Sequence, residues 1–112
     1  MSNLIVGADN QNLRLIIAGD AWIEEVIELE AKQRNERIII DQFVNKNGLE
    51  WKDFDRLVLF NIPTSKTSVR VAKTILLTSG WLYKTPVLEL DVENFLNLSR
   101  SEIEGLVADL GS

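Results

Sequence analysis

Leu57-Val58-Leu59-Phe60, with the segment behind it, Asn61-Ile62-Pro63-Thr64-Ser65-Lys66-Thr67-Ser68, decides the fold. Four consecutive apolar residues mark a strand buried on both faces, the kind found inside parallel sheets. Pro63-Thr64-Ser65 then opens a helix predicted to run through Ser79 and to stop at Gly80, and Pro86 to Leu90 reads as the next strand. Strand, helix, strand at this spacing is a β-α-β unit, whose two strands lie parallel through a right-handed crossover.

Upstream, Leu4-Ile5-Val6-Gly7-Ala8 and Leu13 to Ala18 are two short apolar runs around the turn-forming Asp9-Asn10, which predicts a hairpin. Trp22 to Glu30 fits two periods. As a strand it sends Ile23, Ile27 and Leu29 one way and Glu24, Glu28 and Glu30 the other; as a helix it aligns Ile23, Val26, Ile27 and Glu30. The Gly19-Asp20 turn before it, of hairpin length, favours a third antiparallel strand. From Arg34 to Asn47 the apolar residues Ile39, Ile40, Phe43 and Val44 recur at helical spacing, and Asn47-Gly48 supplies the stop. Leu49 to Asp55 is a connector with room for one helical turn.

Downstream, Ser99-x-x-Glu102 is a capping box, followed by the amphipathic run Ile103, Leu106, Val107 and Leu110. The order is thus three strands, helix, strand, helix, strand, helix. A β-meander continued by two crossovers gives one mixed five-stranded sheet with helices packed on it, the α/β layout of the ribonuclease H-like, or actin-like ATPase, core. One domain is expected over residues 1–112, with 98–112 as a C-terminal capping helix.

With 112 residues, 46% hydrophobic and 26% charged, the chain has the balance of a folded globular domain. It has no cysteine and no histidine, which removes disulfides, thiolate nucleophiles, the usual zinc sites and histidine-based acid–base catalysis. The net charge of −5 argues against nucleic-acid binding, and it is unevenly spread. Residues 1–84 are neutral, whereas 85–112 carry Glu89, Asp91, Glu93, Glu102, Glu104 and Asp109 against Arg100. No apolar run is long enough for a membrane span and no basic stretch precedes the first strand, so a cytoplasmic protein is expected.

Folds of this class hold nucleotide phosphates against the first hairpin, through an aspartate followed by glycine and a hydroxyl residue. Here the turn is Asp9-Asn10-Gln11-Asn12, without glycine, so backbone amides cannot close on a phosphate as they would there. Glu24, Glu28 and Glu30 fall on the expected solvent face, away from Asp9, so two-metal nuclease chemistry lacks its carboxylate cluster. Ser65, Lys66 and Thr67 at a helix N-terminus are a candidate anion site. N-capping by Ser65 or Thr67 is the competing reading. No nucleophile–base pair is present, and no catalysis, cofactor or metal is expected.

Ile40-Asp41 with Phe43-Val44, through Gly48-Leu49-Glu50-Trp51-Lys52-Asp53-Phe54-Asp55, resembles the I-D-x-L-L…G-L-x-[LW]-x-D-[IF]-D stretch of the TsaB (YeaZ) family. Pro63, Ser65, Thr67, Val69, Arg70 and Val71 match places in that family's G-x-G-P-G-S-F-T-G-[LV]-R-[IV]-G signature, which also follows a strand. Ile62, Thr64, Ser68 and Ala72 stand where it has glycines, and Lys66 where it has an aromatic. Leu82-Tyr83-Lys84-Thr85-Pro86-Val87 is similar to the family's G-I-P-L-V, and Ile5 to Asp9 to its I-L-A-I-D-T. Family members continue into a second half-domain of similar size. The resemblance implies a reduced, non-catalytic scaffold that supports a TsaD-type ATPase subunit in forming threonylcarbamoyladenosine in transfer RNA. The alternative is a small actin-like-fold nucleotide or anion binder, or a homodimeric interaction protein.

A partner surface is expected on the second helix, which is apolar almost all round. Ser68, Ala72 and Ser79 are small and could admit a neighbouring helix; Ile75 and Leu76 belong to the same stripe, and Ile39 and Phe43 of the preceding helix would extend it. A homodimer through this face, exchanged for the TsaD-type partner, is the expected assembly.

Overall fold

The computed structural model describes residues 2–8, 11–28, 35–61 and 66–110. Its strands are β1 (Ser2–Ala8), β2 (Asn12–Ala18), β3 (Trp22–Glu28), β4 (Phe54–Asn61) and β5 (Val87–Asp91), and its helices α1 (Glu36–Lys46), α2 (Lys66–Tyr83) and α3 (Arg100–Leu110). Single 3₁₀ turns at Trp51–Asp53 and Phe95–Asn97 precede β4 and α3. The strands form one sheet in the order β3-β2-β1-β4-β5. β1 pairs antiparallel with β2, and β2 with β3, while β4 runs parallel to both β1 and β5.

β1, β2 and β4 read as unbroken apolar runs because helices cover both sheet faces. On one face Leu4, Val6, Leu13, Leu15, Leu57 and Leu59 meet Ile40, Phe43 and Val44 of α1 and Ala72, Ile75 and Leu76 of α2. On the other, Ile5, Ile16, Val58 and Phe60 are covered by Phe95, Leu98 and by Ile103 and Val107 of α3. β3 lies at the sheet edge and alternates as the strand reading requires. Ile23 and Ile27 pack on the α1–α2 side, while Glu24, Val26 and Glu28 are exposed. Leu29 and Glu30 lie outside the described residues.

Asn35 caps α1 by accepting from the Ile38 amide at 3.2 Å, and Gly48 ends it with φ +76°, a conformation that glycine takes without penalty. The capping box of α3 is present on both sides. The Glu102 amide donates to Ser99 Oγ at 3.2 Å, and the Ser99 amide donates to Glu102 Oε1 at 3.2 Å.

The end of α2 departs from the sequence expectation for a physical reason. α2 does not stop at Gly80 but continues to Tyr83. Gly80 serves a close approach instead. A Cβ there would sit 2.4 Å from Val87 Cγ2 and 2.8 Å from the Thr85 carbonyl oxygen, so only glycine lets α2 lie against the start of β5. The chain reverses one turn later through Lys84, at φ 54°, and the Thr85 amide closes the end on the Gly80 carbonyl at 2.9 Å.

Candidate functional site

Asp9 and residues 62–65 of the expected loop, Ser65 among them, lie outside the described residues. Lys66 and Thr67 form the first turn of α2. Asn61, the last residue of β4 before that loop, donates its side-chain amide to Glu89 Oε1 at 3.4 Å, and Lys73 Nζ holds the same carboxylate at 3.2 Å. Among the described residues no group of three acidic residues is placed to hold a metal ion, and no helix is long and apolar enough to cross a membrane.

Glu24 is not the free solvent-face carboxylate of the sequence reading. It accepts from Arg14 Nε at 3.0 Å and lies 2.9 Å from Arg14 Nη2. Arg14 is itself buried, and its Nη1 donates to the Phe95 and Leu98 carbonyls at 2.7 and 2.8 Å. The guanidinium also lies 5.3 Å from the Phe95 ring centroid. The pair is therefore a bracket that ties the turn before α3 to β2 and β3.

Six of the seven residues expected to meet a partner lie against the protein's own core instead. Phe43, Ala72, Ile75, Leu76 and Ser79 are buried within the protein itself, and Ile39 is half-buried against the same core. Ser68 lies in the first turn of α2. The correction has a physical reason: the small residues Ala72, Ser79 and Gly80 let α2 sit close on its own sheet, so their stripe turns inward.

The opposite side of α2 carries the exposed apolar surface. Leu77 and Trp81 stand one turn apart on the outward face, in line with Arg70 and Thr74, and Trp81 is 80% exposed. Val71 and Leu82, also exposed, flank this ridge, and Ile38 is exposed on α1. At the end of the helix, exposed Tyr83 borders a shallow cleft shared with Asn45, Glu50, Trp51 and Lys52. The Trp51 indole is fixed there by donating to Asp41 Oδ1 at 2.6 Å. Lys52 lies in the same cleft, and its hydrogen bond with Glu50 raises its pKa above the ordinary lysine value. The outward side of α2 thus presents an aromatic and aliphatic ridge with Arg70 along it.

No protein-family model and no curated protein matches the chain. Solved structures do. YeaZ from Pseudomonas aeruginosa superposes with a TM-score of 0.71 at 12% identity, over 81% of this chain and 45% of that one. A second structure, described as an uncharacterized protein with similarity to peptidase YEAZ from Pseudomonas aeruginosa, gives 0.69 at 13% identity, over 80% and 43%. T. thermophilus RuvC in complex with Holliday junction substrate gives 0.56 at 10% identity, over 98% and 78%. The chain thus has the ribonuclease H-like fold expected from its element order, and spans less than half the length of the two YeaZ-like structures.

Proposed function

We propose that this chain is a non-catalytic scaffold subunit of the TsaB (YeaZ) type, which docks onto a TsaD-type ATPase subunit in the pathway that makes threonylcarbamoyladenosine in transfer RNA. The observation that carries this reading is the apolar ridge of α2, Leu77 and Trp81 flanked by Val71 and Leu82, presented on a YeaZ-like fold. A solvent-exposed tryptophan beside exposed leucines stabilises nothing within the chain. It gains free energy only by being covered, and large aromatic anchors of this kind dominate the affinity of interfaces. Free of its partner, the protein pairs with a second copy through the same ridge.

Co-expression with the TsaD-type protein of the same organism tests the reading. A stable complex is expected, and Trp81→Glu with Leu77→Glu should abolish it while the melting curve of the free chain is retained. Failure of the wild-type chain to co-purify, or a complex indifferent to both substitutions, would overturn the assignment.

A further inference from the structure

The sheet face beneath α3 holds a cavity of about 450 Å³, far from the α2 ridge. Its floor is a row of residues in direct register across four strands: Arg56 on β4 opposite Asn3 on β1, Asn3 opposite Ala18 on β2, and Ala18 opposite Trp22 on β3. At roughly 4.8 Å per strand the row spans about 14 Å. The short side chain of Ala18 lies between the longer Asn3 and Trp22, and the cavity opens above it. Ile5 adds an apolar residue beside Ala18 on the floor, and Val107 of α3 forms part of the roof.

The polar groups around this slot are unequally paired. Arg100, at the start of α3, stacks 5.1 Å from the Trp22 ring centroid and donates from Nε to Glu104 Oε1 at 2.5 Å, so its charge is matched and its position set. Arg56 is half-buried and, among the described residues, makes one long side-chain hydrogen bond, 3.5 Å from Nε to Asn3 Oδ1. Among the described residues it has no carboxylate partner. A guanidinium that is partly removed from water without a counter-charge favours an anion that its fork can hold in bidentate fashion. Asp20 lies on the opposite rim, past the end of β2, and repels an anion there. The carboxylate end of a ligand is therefore directed to the β4 side.

We propose that this cavity is a binding site for a small aromatic carboxylate, its charged group on Arg56 and its ring lying in the slot between Ala18 and Val107, beside Trp22. Ala18 and Ile5 below and Val107 above give this open cleft an apolar strip that suits a flat body, and the volume lies within the range of small-molecule sites. This inference does not depend on the scaffold reading, because the cavity and the α2 ridge are on opposite faces of the sheet.

Titration calorimetry on the full chain with three indoles of matched shape tests it: indole-3-acetate, the neutral indole-3-acetamide and the cationic tryptamine. Indole-3-acetate should bind at least about tenfold more tightly than either analogue, a difference of about 1.4 kcal/mol. Arg56→Gln should remove that preference, and Ala18→Leu, which fills the slot, should abolish binding of all three. Equal affinity for the acid and the amide, tighter binding of tryptamine, or no binding of the acid would each overturn the proposal. The wild-type comparison needs no variant to fold. An Arg56→Gln protein with a native circular dichroism spectrum and an unchanged preference would overturn it as well.

Discussion

Gly7 sits near the end of β1, the central strand of the sheet, and its missing side chain is what admits Phe95. A Cβ at that position would lie 2.0 Å from Phe95 Cδ2 and 2.3 Å from Cε2. The Phe95 ring stacks on Phe60 with centroids 4.4 Å apart. Gly7→Ala should therefore destabilise the protein by about 2 kcal/mol through overpacking. Urea unfolding will measure the loss, and adding Phe95→Leu should recover part of it. Arg14 acts on the same turn. Arg14→Met would leave the Phe95 and Leu98 carbonyls without this donor and Glu24 without its ionic partner, the Trp22 indole remaining as its one other donor among the described residues. The expected cost is about 3 kcal/mol, and Arg14→Lys should restore only a part, since an ammonium cannot reproduce the guanidinium fork. Neither role is legible in the sequence. A glycine within a strand and an arginine within an apolar run both meet Phe95, and the arginine also Leu98, from more than eighty positions away.

At the scale of the element, α3 is the clearest case of local signals agreeing with tertiary packing. Its capping box and its apolar spacing place both its start and its inward face, where Ile103 and Val107 cover Ile5 and Val58. Removing residues 98–112 uncovers that face, at about 1.5–3 kcal/mol for each large apolar side chain lost. A fall in melting temperature of at least about 10 °C, or aggregation, is expected by differential scanning calorimetry. An unchanged transition would mean that the segment adds nothing to the core. α2 shows where local signals mislead. Glycine after a helical run ordinarily ends a helix, but Gly80 is retained inside α2 because β5 passes too close for any side chain.

At the scale of the whole molecule, the two stripes of α2 have opposite duties. Ala72 is fully buried against the sheet, so Ala72→Arg should unfold the protein, at more than about 4 kcal/mol for an unpaired buried charge. Trp81→Glu, on the exposed ridge, should alter stability by less than about 0.5 kcal/mol while changing the oligomeric state. Sedimentation of the two variants beside thermal melts distinguishes the stripes. A dimer that survives Trp81→Glu would move the contact to another face.

The sequence by itself determined the order of elements, the strand identity of residues 22–28 and the packing of helices on the sheet. These follow from periodicity, turn chemistry and capping, which act over a few residues and are written in the neighbours. Only the tertiary structure decided which stripe of α2 is core. Apolar residues surround that helix, so the choice rests on which side can lie close to the sheet: Ala72 and Ser79 are buried there, and Gly80 lets the helix meet the start of β5. The cavity over Ala18 has the same origin. Arg56, Asn3, Ala18 and Trp22 share no spacing along the chain, and become one surface only because four strands pair in a particular register.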